Sequence, residues 1–218
     1  MSSAPVPEIF GKSENRLGII VGCGPSLDIE QLAKVSHLKR FGANRTFEFD
    51  LDVVLGCNYQ FWDHYWPEIK DYRCDKWTTR PQSAEKYGIN YIEERWEGSL
   101  STDKSYVCAH HGSGPQILNM ALHYGCKTML LIGWDMRYPG KINTKKYTGK
   151  RHYFGGDPLT EGHWPQTGPD GELAGLIREM ETIRPEILGV DIINCTAGSA
   201  MTCFPMMSLD AALKKYDK

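Results

Sequence analysis

Gly18-Ile19-Ile20-Val21-Gly22-Cys23-Gly24-Pro25-Ser26-Leu27-Asp28 decides how the chain is read, because an apolar run breaks there into a glycine-proline turn and then into a helical pattern. The run from Leu17 to Val21 is uncharged and rich in β-branched residues, as a parallel strand covered on both faces requires. Its C-terminal end therefore opens at a sheet edge. Gly22 and Gly24 lack Cβ, so the main chain there can take positive φ and admit a phosphate to its N–H groups. Ser26 is placed to cap the helix that begins near Asp28. Pro25 fixes φ and removes a donor, which predicts a rigid bend beside a ligand instead of a wrapped nest. Leu27 stands where a dinucleotide fingerprint has its third glycine, and no Gly-Lys-Ser/Thr follows as in a P-loop. The competing reading is an ordinary strand-to-helix turn whose glycines only allow close packing.

Outward from this turn, 218 residues suffice for one α/β domain with a sizeable core. The expected architecture is a single Rossmann-like domain over residues 1–218, a mostly parallel sheet flanked by helices. A formal net charge of −2 excludes a strongly basic nucleic-acid platform, although the basic stretch 145–151 leaves nucleic acid open as an acceptor. Residues 1–12 contain no apolar signal region and no stretch has the length of a membrane span, so a cytoplasmic location is expected. The seven cysteines include no Cys-x-x-Cys pair. They read as mostly buried small residues in a reducing compartment, with Cys23 in the turn as the exception.

Along the chain, apolar spacing predicts a helix over 29–37, strands at 41–44 and 53–57, and an aromatic helix carrying Tyr59, Phe61, Trp62, Tyr65 and Trp66 that Pro67 interrupts or ends. Those rings read as core, with base stacking the alternative. Short strands are expected at 76–79 and 89–92, and an exposed polar loop at 93–104. A strand at 106–109 leads through His110, His111, Gly112, Ser113, Gly114 and Pro115 into a helix that stops at Tyr124-Gly125. Residues 127–133 form the clearest buried strand, ending in Trp134-Asp135, where open α/β sheets place ligand-binding groups. Residues 137–170 are irregular, glycine- and proline-rich, and read as a lid or binding loop. A helix over 172–188, a strand at 190–194, a polar turn at 196–199 and a helix at 209–216 complete the chain.

Three separated segments, Gly-Cys-Gly-Pro-Ser-Leu, then Ser-Gly before a helix and a strand ending Ile-Gly-Trp-Asp-Met, then Asn-Cys-Thr-Ala-Gly-Ser-Ala, occur in an order that resembles one family. It is similar to the bacterial sialyltransferases that use CMP-sialic acid, with their phage and bacterial relatives and the MptE-like pterin pyrophosphokinase group. The resemblance implies that Gly22, Cys23, Gly24, Pro25 and Ser26 hold the nucleotide phosphate or ribose, and that Asn44 contacts the nucleoside. It implies that Ser113, Gly114 and Asp135 belong to the same nucleotide site. Thr196, Gly198 and Ser199 match the family's C-terminal turn in position, without its proline-asparagine pair.

The family's lid reads His-Tyr-x-Gly-His, and its last histidine deprotonates the acceptor hydroxyl. Here His152-Tyr153-Phe154-Gly155-Gly156 has glycine at that place. Either His152 or His163 serves as base, or the base is lost. A histidine suits the task because it titrates near neutrality, while Tyr153 and Arg151 suit a departing phosphate. His110 and His111 read as loop residues, and His37, His64 and His123 as helix residues.

The resemblance thus implies a glycosyltransferase that moves a sugar from a nucleotide-activated, CMP-type donor to an acceptor hydroxyl, on a glycan or on nucleic acid, with no cofactor or metal required. An oligomer is compatible with this. The alternatives are a Mg-dependent pyrophosphokinase, for which Asp50, Asp52 and Asp135 are the candidate carboxylates, and a catalytically silent nucleotide-binding module. An S-adenosylmethionine enzyme fits less well, because Asn44 stands where an acid would end the second strand.

Overall fold

Leu17–Val21 forms β1, and all five of its residues are buried. The computed structural model describes residue 10 and residues 16–109, 111–137, 153–154 and 168–218. After β1 come α1 (Ile29–Lys34), β2 (Lys39–Ala43), a 3₁₀ turn (Asn44–Phe49), β3 (Val53–Gly56) and α2 (Tyr59–Ile69). There follow β4 (Asp75–Thr78), α3 (Pro81–Tyr87), β5 (Asn90–Tyr91), β6 (Glu93–Arg95), β7 (Tyr106–Cys108) and α4 (Ser113–His123). The chain ends with β8 (Thr128–Ile132), α5 (Gly168–Met180), α6 (Pro185–Leu188), β9 (Asp191–Asn194) and α7 (Leu209–Tyr216).

Seven strands form one sheet in the order β5-β4-β3-β2-β1-β8-β9, and all its pairings are parallel. The protein is thus a Rossmann-like α/β fold. Successive strands step outward from β1 to β5, after which the chain returns to the other side of β1 and places β8 and β9. The reversal leaves a topological switch point between β1 and β8, the place where open α/β sheets bind ligands. Because Val21 pairs with Ile132, the turns that follow these two strands lie side by side.

Alternation along β1 feeds two cores. Ile20 joins Phe41, Leu55, Leu118 and Leu131 on one face, while Ile19 and Val21 join Leu32, Val54, Trp62 and Leu130 on the other. Each fully buried aliphatic side chain contributes about 1.5–3 kcal/mol, so double coverage makes β1 and β8 the anchors of the sheet. Pro67 does not end α2, which runs two residues beyond it. Of the rings of α2, Phe61, Trp62 and Tyr65 are buried in the core as expected, Trp66 is half-buried, and Tyr59 is exposed instead.

Elsewhere the structure departs from the expected elements for identifiable reasons. Asp28, not Ser26, caps α1, through a reciprocal capping box with Gln31. Residues 93–104 are not simply a loop: β6 pairs in parallel with β7 in a separate two-stranded sheet. Its charges are neutralised pairwise, so no apolar alternation marks it. The helix foreseen over 172–188 is two helices, broken ahead of Pro185, which disfavours helical backbone in the residue before it. None of the seven cysteines is in a disulfide; Cys57, Cys108, Cys126 and Cys195 are buried, but Cys203 is exposed. Burial pushes the Cys57, Cys126 and Cys195 thiols up to about 12, so they are un-ionised at neutral pH. Among the described residues, no helix is long and apolar enough to cross a membrane.

Candidate functional site

The glycine turn after β1 is docked directly against the turn after β8. The Gly22 N–H donates to Ile132 O at 2.8 Å and the Gly24 N–H to Gly133 O at 2.8 Å. Ser26 completes the contact, its N–H meeting Asp135 Oδ1 at 3.2 Å and its hydroxyl donating to Asp135 Oδ2 at 2.8 Å. Gly22 and Gly24 do not use the positive φ expected of them; in this pair of turns Gly133 does, at φ 70°. Their missing side chains supply room instead. A Cβ on Gly24 would stand 2.6 Å from Gly133 O and still closer to the Asp135 carboxylate. The donors of Gly22, Gly24 and Ser26 therefore point into the neighbouring turn.

Asp135 is held from the other side as well. The Trp134 N–H donates to Thr196 Oγ1 at 2.9 Å, the Ser199 hydroxyl donates to Trp134 O at 2.6 Å, and the Ala200 N–H donates to Asp135 O at 2.8 Å. Thr196 and Ser199 are buried, so their hydroxyls serve as braces for Trp134 and Asp135. Gly198, at φ 68°, faces Arg137: a Cβ there would lie 2.8 Å from Arg137 Nη2. The guanidinium is thereby set at the mouth of the same edge.

Asn44 follows β2 with a left-handed backbone, φ 54°. Its Nδ2 donates to Ser113 Oγ at 3.2 Å, bridging β2 to the start of α4. Its Oδ1 is buried without a hydrogen-bond partner, and a buried acceptor left open in this way carries a desolvation cost of roughly 1–3 kcal/mol. Gly114 packs against the Trp134 ring, to which a Cβ would come within 3.0 Å. Glu179 of α5 accepts from the His111 and Gly112 N–H groups at 2.9 and 3.3 Å, and so caps the loop that enters α4.

One short piece of the expected lid is placed. The Tyr153 N–H donates to Cys23 O at 2.8 Å, so this segment lies on the glycine turn. Its ring meets Phe49 edge-on at 4.9 Å, while Phe154 stacks on Phe49 at 5.0 Å and carries Arg45 over its face at 4.4 Å. Arg151, His152 and His163 lie outside the described residues, as does His110. Other histidines are elsewhere: His37 contacts Asp217 at 2.8 Å, His64 packs on Tyr65, and His123 is buried.

Asp50-Leu51-Asp52, an Asp-x-Asp by spacing, is at the wrong edge to join Asp135. Asp52 immediately precedes β3 and accepts from the Arg40 N–H near the start of β2, at the N-terminal edge of the sheet. Among the described residues no three His, Cys, Asp or Glu side chains form a metal-holding group.

The structure thus unites Gly22, Cys23, Gly24, Ser26, Asp135, Thr196, Gly198 and Ser199 at one edge, with Asn44, Ser113 and Gly114 bridging to it through Trp134. Sequence reasoning missed Phe49, Arg45 and Arg137, whose roles depend on partners far along the chain; only the position of Arg137 two residues after Asp135 offered a signal. Fold and site define the class as a Rossmann-like α/β protein with a cluster of polar side chains at its switch point. No protein-family profile and no curated protein sequence matches the chain.

Proposed function

We propose that the protein is a glycosyltransferase-like enzyme that binds a nucleotide-activated sugar, of the CMP-linked type, at the β1/β8 switch point. The observation that carries this reading is Tyr153 seated by its backbone on Cys23. Arg151 and His152 precede it directly in the sequence. In this reading the buried Asn44 Oδ1 accepts a hydrogen bond from the nucleoside. Because the glycine-turn donors are engaged, phosphate charge is met by Arg137 and by the Ser113 end of α4.

The acceptor hydroxyl oxygen attacks the anomeric carbon as the bond from that carbon to the nucleotide phosphate oxygen breaks. The hydroxyl proton passes to His152 or His163, and the departing phosphate takes the bonding electron pair, stabilised by Tyr153 and Arg151. The test is a thermal-shift series with CMP, CDP, UDP, GDP, S-adenosylmethionine, and ATP with and without Mg²⁺. A rise in Tm with CMP in the absence of metal is expected, since a ligand that binds only the folded state stabilises it by mass action. No response to any nucleotide overturns the proposal; a response to ATP that needs Mg²⁺ replaces it with pyrophosphoryl transfer.

A further inference from the structure

β6 carries Glu93, Glu94 and Arg95 and is followed by Trp96, which is 70% exposed. Side chains alternate along an extended segment, so Glu93 and Arg95 share one side and Glu94 and Trp96 the other. The contacts follow that division. Arg95 Nε donates to Glu93 Oε1 at 2.8 Å. On the opposite side, Glu94 accepts from Gln116 Nε2 at 3.1 Å and pairs with Arg80 Nη1 at 2.8 Å. The Trp96 ring lies 5.4 Å from the His111 ring. Arg80 is itself steered by its Nε, which donates to Cys57 O at 2.7 Å.

These groups gather where β3, β4 and β6 end and α4 begins. His111 is two residues before Ser113, the partner of Asn44, so this wall adjoins the residues gathered at the switch point. Packing does not account for it: the indole is largely in water, and the Arg80 and Glu94 side chains keep 41% and 20% of their surface.

We infer that this wall is the acceptor subsite and that its occupant is a carbohydrate. The inference rests on the glycosyl-transfer reading, which requires a hydroxyl-bearing acceptor beside the donor. The C–H face of a pyranose ring covers the indole, whose π face is electron-rich. Its hydroxyls donate to the Glu94 carboxylate and accept from the Arg80 guanidinium, both as charge-assisted bonds. Nucleic acid also stacks on exposed rings, but its phosphates would meet the Glu94 carboxylate here, whereas a neutral sugar brings no phosphate against it.

The test titrates methyl glycosides of glucose, galactose and N-acetylglucosamine into wild type, Trp96→Ala and Trp96→Phe, followed by saturation-transfer NMR and calorimetry, with the CMP thermal shift run on each. At least one glycoside is expected to bind wild type, with a loss of about tenfold or more in Trp96→Ala and near retention in Trp96→Phe. The CMP response should be the same in all three. No binding of any glycoside at tens of millimolar, or binding indifferent to Trp96→Ala, overturns the inference. So does Trp96-dependent binding of an oligothymidylate in place of the sugars. A missing CMP shift in wild type rejects the donor reading by itself, and the glycoside result is read independently of it.

Discussion

His123 should make the fold acid-sensitive well above the range where carboxylates titrate. It is buried on α4, and its Nε2 lies 2.8 Å from Tyr106 O, an acceptor, which puts the ring proton on Nε2. A second proton would have to sit on Nδ1, which is buried with no partner. Burial therefore lowers its pKa from 6.5 to about 4; the Tyr106 carbonyl opposes the shift, Lys104 adds to it and Asp103 opposes it. Between those values the unfolded chain holds the proton and the folded one does not. Stability is then fully present above 6.5 and falls as the pH drops towards 4, by about 1.4 kcal/mol per pH unit and about 3 kcal/mol in all. Urea unfolding of wild type and His123→Gln, followed from pH 7 to pH 4, isolates the effect because the other groups are common to both. The stability gap between them should shrink by about 3 kcal/mol as the pH falls. Two parallel pH profiles would refute the reasoning.

Two predictions concern the paired turns at the switch point. Gly24→Ala should push the two turns apart and cost about 1–3 kcal/mol in urea unfolding, because the added methyl meets the Gly133 carbonyl as well as the Asp135 carboxylate that Ser26 holds in place; unchanged stability would mean that the turns are not packed this closely. Thr196→Val should cost about 1–3 kcal/mol by leaving the buried Trp134 N–H without its acceptor, while Thr196→Ser should restore most of it. Equal stability of the valine and serine variants would contradict the bracing role.

What was legible in the sequence was whatever depends on near neighbours. β1 and α7 occupy the residues expected because continuous apolar runs and amphipathic spacing are local signals. The position of Asp135 at the sheet's C-terminal edge was legible for the same reason, since it follows a strand with every signature of burial. β6 was not, because it has no apolar alternation: Glu93 and Arg95 pair within the strand and Glu94 pairs with Arg80. α3 is marked only by Pro81 at its start and Gly88, at φ 63°, at its end. The state of the glycine turn was illegible in principle. Both the phosphate-cradle and the close-packing readings predict glycine at 22 and 24, and only the identity of the opposing chain separates them.

The bond between Ser26 and Asp135 joins residues 109 positions apart, and Asp135 in turn rests on a turn near residue 200. During synthesis the first half of the chain can collapse around β1 to β5, yet its glycine turn lacks the partner it docks on until β8, β9 and the turn beyond them have left the ribosome. The contact between the two turns thus closes only after the second half of the chain has been made, and a chain interrupted before residue 196 lacks the Thr196 and Ser199 braces on Trp134.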